Sequence, residues 1–489
     1  MSEVGKVDTQ TAYADAPTPE AAGALARLST QVRHDLDMLD YPAREWVRPR
    51  AHRSGRHVYD VVVVGGGQCG LAAAFGLMRE KVGNILVVDE NPEGLEGPWV
   101  TYARMVTLRT PKHLTGPDLG VPSLTFRAWW EAQFGAEGWE ALGKIPREEW
   151  MRYLRWFRHV LDIPVRNSLK VRLVEPLEPG LFGVKTDAAS SMPPILARKV
   201  VFATGIQGGG EWHVPAFIKS AVSPARYAHT SEQIDFGALK GKRIGILGGG
   251  ASAFDNAQYA LGAGVGEAHV FIRRERIPRI NPIRYMESAG FLRHFATLDD
   301  ATKYAGISFF LRHNQPPTND TYNRAAAFAD FHLHLGSPWT HVEETEDGVR
   351  VVTPKGEFLF DFIVLSTGLL TDVALREELS AVADDIARWR DRYTPPDGED
   401  NALIDKHPYL GPGFEFTPRT AEGAARIHGL FAFNYSALAS LGLSASALSG
   451  MKFAMPRLIE GVTNQLFMDD RDVILDEYFA YDTEEFLGA

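Results

Sequence analysis

Cysteine is almost missing from this chain: Cys69 is the single one in 489 residues. That excludes a disulfide framework and a C-x-x-C redox centre, and it suits a reducing compartment such as the cytoplasm. No apolar run reaches the roughly 20 residues of a membrane span. The most apolar late region, 430–448, is broken by Asn434, Gly442 and several serines. A basic excess is also lacking. The net charge of −11 argues against a nucleic-acid partner, and the densest basic cluster is IRRERIPR at 272–279. The opening MSEVGKVDTQ has no charged-then-apolar order of a signal peptide. With 45% hydrophobic and 23% charged residues, the composition is that of a soluble globular protein, and the length allows two or three domains.

Against these absences stands one dense stretch, YDVVVVGGGQCG at 59–70. Four valines, 61–64, read as a strand buried on both faces, the habit of a parallel sheet. Gly65, Gly67 and Gly70 follow in G-x-G-x-x-G spacing. The first permits a tight turn, the second lets a pyrophosphate approach the backbone, and the third lets helix and strand pack closely. A helix over 71–78 would then point its N-terminal N–H groups at phosphates, with Gln68 in its first turn. A second strand, 85–88, ends in Asp89, which lies 24 positions after Gly65 (89 − 65) and is placed to hold a ribose hydroxyl. Glu90 joins it as a candidate. Strand, glycines, helix, strand and acid in this order predict a dinucleotide site.

The fingerprint recurs. A strand at 244–247 leads into Gly248, Gly250, Ala251, Ser252 and Ala253, in G-x-G-x-x-A spacing, and then a helix. Its partner strand, 269–272, ends in Arg273 and Arg274 instead of an acid. Arginines there suit a 2′-phosphate, so the second site reads as one for NADPH and the first as one for an unphosphorylated ribose. Two apolar strands end alike, in Ala203-Thr204-Gly205 and in Ser366-Thr367-Gly368, as where a chain passes beside a cofactor. Between the fingerprints, Gly97 and Trp99 form a turn, followed by Tyr102, Arg104, Arg109, Lys112 and His113, a cationic and aromatic set suited to the reactive end of a cofactor. Trp129, Trp130, Trp139 and Trp150 read as core. A late strand, a turn beginning at Asn434 and a helix would face the polar edge of a flavin ring.

Around these units, residues 1–17 read as disordered. Thr18-Pro19 opens a helix that runs to about Leu39 and docks on the body. Gly208 to Gly210 read as a linker, and 278–340 as an irregular insertion. His332 and His334 share one face of a strand there, but without a third ligand in sequence they predict no metal.

With these residues in view, the chain resembles the two-dinucleotide-binding-domain flavoproteins, and more narrowly the class B flavoprotein monooxygenases: flavin-containing, Baeyer–Villiger and N-hydroxylating enzymes. The likeness rests on VVVVGGGQCG with Asp89, GPW at 97–99, FATG at 202–205, GILGGGASA with Arg273 and Arg274, and LSTG at 365–368. His229-Thr230 matches the end of the group's F-x-G-x-x-x-H signature, although Ser223 and Ala225 replace its Phe and Gly. The resemblance implies an α/β fold of two Rossmann-like domains, the NADPH domain inserted into the FAD domain. The divisions would be 1–55 as an N-terminal extension, 56–211 with 369–489 for FAD, and 212–368 for NADPH. It implies a monooxygenase that reduces FAD with NADPH, takes up O2 as a flavin C4a-peroxide and passes one oxygen to a small organic substrate. Baeyer–Villiger enzymes carry an arginine and an aspartate close together after the G-x-W turn. Here no Asp lies between Trp99 and Thr115, which favours N- or S-oxygenation. Arg109, Lys112 and Tyr102 are the expected residues near the flavin. An NAD(P)H-dependent reductase serving a quinone or protein, and a non-catalytic nucleotide sensor, remain open, as does a homo-oligomer.

Overall fold

The protein is described by a computed structural model covering residues 15–187, 192–313, 315–445, 447–486 and 488. Most of the stretch expected to be disordered, residues 1–14, lies outside these.

Strand β1 (Val58–Val64) is the axis of the first sheet. Val61, Val62 and Val63 have no exposed surface, so the strand is buried on both faces. It pairs in parallel with β2 (Ile85–Val88) on one side and β6 (Ile195–Gly205) on the other. The sheet runs β3 (Val165–Arg166), β2, β1, β6, β5 (Leu181–Thr186), β4 (Val171–Glu178), and β17 (Leu430–Asn434) adds in parallel to the far part of β6. Helix α2 (Gln68–Arg79) makes the crossover from β1 to β2. It is buried along most of its length, so its alanines pack directly against the strands.

A second sheet is entirely parallel: β11 (Phe331–His334), β10 (Glu267–Phe271), β9 (Arg243–Leu247), β15 (Phe362–Leu365), β8 (Tyr227–His229). Helix α5 (Ala251–Gly262) crosses from β9 to β10. All its strands lie in sequence between β6 and β17 of the first sheet. An antiparallel sheet of β12 (His341–Thr345), β13 (Gly348–Thr353) and β14 (Gly356–Phe360) packs on it through Phe271, Trp339 and Phe360.

Two expectations need correcting. Gly208 to Gly210 are not a loose linker: β7 (Gly210–Trp212) pairs with β16 (Leu369–Thr371), so the outgoing and returning chains run side by side. A Cβ on Gly210 would lie 1.8 Å from the Leu370 carbonyl, which is why glycine stands there. Nor is 278–340 irregular. It holds α6 (Asp300–His313) and α7 (Asn319–Ala326), and ends in β11, an edge strand of the second sheet.

The N-terminal helix α1 (Pro19–Met38) is capped by the Thr18 hydroxyl, which accepts from the Ala21 N–H at 3.1 Å. It is docked, not solvated. Leu25 and Val32 are buried against α3 (Phe126–Ala141) and α4 (Arg147–Val160), and Trp156 Nε1 donates to Ser29 Oγ at 3.0 Å. Of the dense tryptophans expected in the core, Trp129, Trp139 and Trp150 are buried there, and Trp130 is half-buried against it.

Candidate functional site

The glycines of the first fingerprint build an open cradle. Gly65 adopts φ +106°, and a Cβ there would sit 2.5 Å from the Ala203 carbonyl of β6. Gly70 faces the Gly65 carbonyl, where a Cβ would come within 1.8 Å. Those two positions let the helix close onto the sheet. Gly67 is different: it precedes α2, its nearest non-local neighbour would be 3.9 Å from a Cβ, and no side chain caps the helix. The first-turn N–H groups are therefore free to meet a phosphate. Asp89 braces the turn from below. Its Oδ2 accepts from the Gly66 N–H at 2.7 Å, and Oδ1 accepts from the backbone and side-chain N–H groups of Asn91 at 2.8 and 3.0 Å. Burial raises its pKa, opposed by those donors. Glu90 is exposed and paired with Lys170 at 2.9 Å.

From this cradle a cavity of about 830 Å³ runs between the two sheets. Asp89, Glu90, Gly65, Gly67 and Gln68 line one end. Gly97, Trp99, Tyr102, Thr204 and Gly205 line it too, as do Arg109, Ser252 and Asp255, the last two from the second sheet's helix α5. Gln68 is held by Trp150, whose Nε1 donates to its Oε1 at 3.1 Å. Gly205 (φ +66°) turns the chain out of β6. Asn434 lies buried behind the wall and donates from Nδ2 to Thr204 Oγ1 at 3.2 Å. Burial pushes the Tyr102 phenol up to about 12, so it stays protonated near neutral pH and can donate. Cys69 also lines the cavity. Its thiol is pushed up to about 12 by burial and donates to the Ala445 carbonyl at 3.5 Å, the behaviour of a packing residue.

Arg109 and Lys112 part company. The Arg109 guanidinium is ion-paired with Asp255 of α5. Asp255 is buried, which raises its pKa against the pull of Arg109, and it also accepts from Thr321 Oγ1 at 3.2 Å. Lys112 does not reach the cavity. Its ammonium donates to the carbonyls of Trp139 and Glu140 and lies 4.8 Å over the Trp139 ring. Arg104 instead ties the halves together: its guanidinium donates to the Tyr102, Thr230 and Glu232 carbonyls at 2.7–2.8 Å.

The second fingerprint repeats the devices of the first. Gly248 (φ +138°) would place a Cβ 2.3 Å from the Ser366 carbonyl of the neighbouring strand. Gly250 precedes α5 with open space around it and no side-chain cap, Ala251 is buried, and Ser252 is exposed in the cavity wall. Arg273 and Arg274 stand exposed just beyond β10, outside the cavity wall. Arg274 donates to the Arg312 carbonyl at 2.9 Å, and Arg273 makes no hydrogen bond or ion pair among the described residues. Gly368 (φ +81°) accepts through its carbonyl from the His213 N–H at 2.9 Å. His229 stacks on Trp212 at 4.9 Å, and burial lowers its pKa to about 4, so it is neutral.

Sequence reasoning missed Asp255 and Asn256. A signal existed: Ser252, Asp255 and Asn256 fall at i, i+3 and i+4 in a helix otherwise apolar as far as Ala257, hence on one face. Arg284, whose Nη2 donates to the Arg109 carbonyl at 3.1 Å, lay hidden in the supposed insertion.

Residues 62–284 match the family model described as pyridine nucleotide-disulphide oxidoreductase. The lone Cys69 gives the chain no dithiol for disulphide chemistry. An FAD-dependent urate hydroxylase from Xanthomonas campestris pv. campestris is 58% identical over 466 residues, 95% of this chain and 98% of that one. Among solved structures, ornithine hydroxylase from Pseudomonas aeruginosa is similar with a TM-score of 0.66 at 16% identity, over 84% of this chain and 100% of that one. An ornithine N-hydroxylase from Kutzneria sp. 744, in a complex described as holding reduced FAD, NADP+ and L-ornithine, gives 0.65 at 16%, over 83% and 99%. With its paired fingerprints, the open cradle at Gly67 and a relative matched over nearly its whole length, the chain belongs to the same flavin-dependent hydroxylase family as the Xanthomonas protein and shares its fold with the ornithine hydroxylases.

Proposed function

We propose that this monooxygenase hydroxylates urate. The observation that carries the reading is the relative matched over 95% of the chain, which is named for urate. The cavity supports it. Urate is planar and anionic near neutral pH, with ring N–H donors and carbonyl acceptors on its edge. The cavity wall offers the Arg109 and Arg284 guanidinium groups with Ser231, Gln233 and Asn281. Asn256, in the same wall, has its Nδ2 fixed on the Ser252 carbonyl at 2.9 Å, which leaves Oδ1 an acceptor without a partner. Arg109 Nε likewise has none. Both atoms are buried in the wall, behind the groups that line the cavity.

In this reading 56–211 with 369–489 form the FAD domain and 212–368 the NADPH domain. The cradle of Gly65, Gly67, Gln68 and Gly70 would hold the FAD pyrophosphate, with Asp89 and Glu90 toward the ribose and Trp99, Tyr102, Thr204 and Gly205 along the rest. Gly248, Gly250, Ala251 and Ser252 would hold the NADPH pyrophosphate, and Arg273 and Arg274 its 2′-phosphate. Bound flavin, once reduced, supplies the activation of O2. The chain's own residues do the rest. Arg109 is pre-aimed by Asp255 and favours an anion. Tyr102 donates as a neutral phenol. The buried belt of Trp99 and Trp150 keeps water from the cavity beside it.

The test is a three-way balance with purified flavin-loaded protein: NADPH oxidised, O2 consumed and urate lost, the last followed by its ultraviolet absorbance. Equal amounts of all three are expected. NADPH oxidation that neither depends on urate nor removes it would overturn the assignment.

A further inference from the structure

Outside the cavity, on the face of the second sheet turned toward β14, three metal-ligand side chains meet. Glu267 and His269 stand two apart on β10 and so point to one side. The parallel register places His332 of β11 opposite His269, with the two rings 4.3 Å apart. One ligand atom from each of Glu267, His269 and His332 lies within 4.8 Å of the others. We propose that Glu267, His269 and His332 form a binding site for a divalent transition-metal ion of the zinc class.

Four features beyond proximity support it. First, the ligand set is two imidazoles and a carboxylate, borderline donors that suit zinc and not calcium or magnesium. Second, the outer partners are in place. His269 Nδ1 lies 3.0 Å from His334 Nε2, so its other nitrogen can turn to a metal beside Glu267 Oε2, 2.9 Å away. The Glu267 carboxylate is fixed in turn by the Arg243 Nε donor at 3.0 Å. Metal-bound histidines and carboxylates are oriented by partners of this kind. Third, the His332 side chain makes no hydrogen bond among the described residues, so its ring nitrogens are uncommitted. Fourth, Phe358 and Phe360 pack their edges on His269 at 6.1 and 5.3 Å, a hydrophobic roof, while Glu267 and His332 are only half-buried and leave a path for a fourth ligand, water.

Zinc bonds of about 2.0–2.2 Å require ligand atoms roughly 3.5 Å apart. His332 is the group that must swing inward, and it sits on an edge strand that can yield. The role this gives the ion is to staple β11 to β10 and so fasten the end of the 278–340 segment. It takes the place of the hydrogen bond between His269 Nε2 and Glu267 Oε2.

The experiment titrates Zn2+ into full-length flavin-loaded protein, first cleared of metal with a chelator, and follows the heat and the thermal midpoint. Wild type should take up one equivalent and melt at higher temperature with Zn2+ but not with Mg2+. His332→Ala and Glu267→Gln should each lose the saturable equivalent, and His334→Ala should weaken it by about 10- to 100-fold, all with an unchanged flavin spectrum. Should either ligand variant misfold, the wild-type Zn2+-against-Mg2+ comparison still decides. No saturable equivalent in the wild type, or an equal one in His332→Ala, overturns the site.

Discussion

Asp60 shows what a single residue on the central strand costs. It is buried in β1 beneath the first fingerprint, and burial lifts its pKa to about 6, although the Arg198 guanidinium stands 3.5 Å away. Arg198 itself is held by Asp470 at 2.8 Å, so it does not depend on Asp60. A carboxylate whose folded pKa lies above its unfolded value favours the fold fully below about pH 4. That contribution is lost as the pH rises through about 6. Asp60→Asn removes the titration. The stability of the variant relative to wild type should therefore increase by about 2 kcal/mol between pH 4 and pH 7.5, as read from paired denaturant curves. A difference that stays flat with pH, or moves the other way, would mean that Arg198 holds the carboxylate ionised throughout.

At the scale of elements, the two strand–glycine–helix units would carry the cofactors in the proposed function, and their fit is set by backbone against backbone. Gly70→Ala would place a methyl against the Gly65 carbonyl, which cannot move without lifting α2 off β1. The expected result is a protein that folds its second sheet but is purified without flavin, its absorbance near that of the apoprotein. Gly250→Ala, with open space at that point, should retain flavin fully. These units were legible in sequence because strand, turn and helix are contiguous and each glycine has a local reason. The docked N-terminal helix was legible too, from Thr18-Pro19 and its leucine spacing. What was not legible is what pairs across distance. The acid for Arg109 was sought within the same loop, and it comes from Asp255, 146 positions on. The pairing of β7 with β16 and the third member of the histidine cluster were hidden for the same reason. Neither is encoded by a local period, and both depend on which strands the parallel sheet makes neighbours.

Across the whole molecule, one side chain joins the loop beside the first glycine cradle to the segment that follows β8 of the second sheet. The Arg104 guanidinium satisfies the Tyr102 carbonyl on its own side and the Thr230 and Glu232 carbonyls on the other, and its own carbonyl accepts from Gln258 Nε2 at 3.0 Å. Its Cζ lies over the Phe236 ring, 5.2 Å from the centroid. Burial lowers its pKa to about 10, which still leaves it charged at neutral pH. A planar fork can serve three carbonyls at fixed angles, and an ammonium cannot. Arg104→Lys keeps the charge and loses two of the three bonds, each worth about 1.5–3 kcal/mol when charge-assisted. The strut then yields where the two halves must enclose the cavity. Because neither fingerprint is touched, the variant should keep its flavin and its KM for NADPH within about twofold. The fraction of NADPH that ends in hydroxylated product should fall by about 3- to 10-fold, the remainder appearing as hydrogen peroxide. Measuring NADPH, product and peroxide together separates this from a plain loss of rate. Were product and NADPH oxidation to fall in step, Arg104 would be supporting the fold and not the closure of the site.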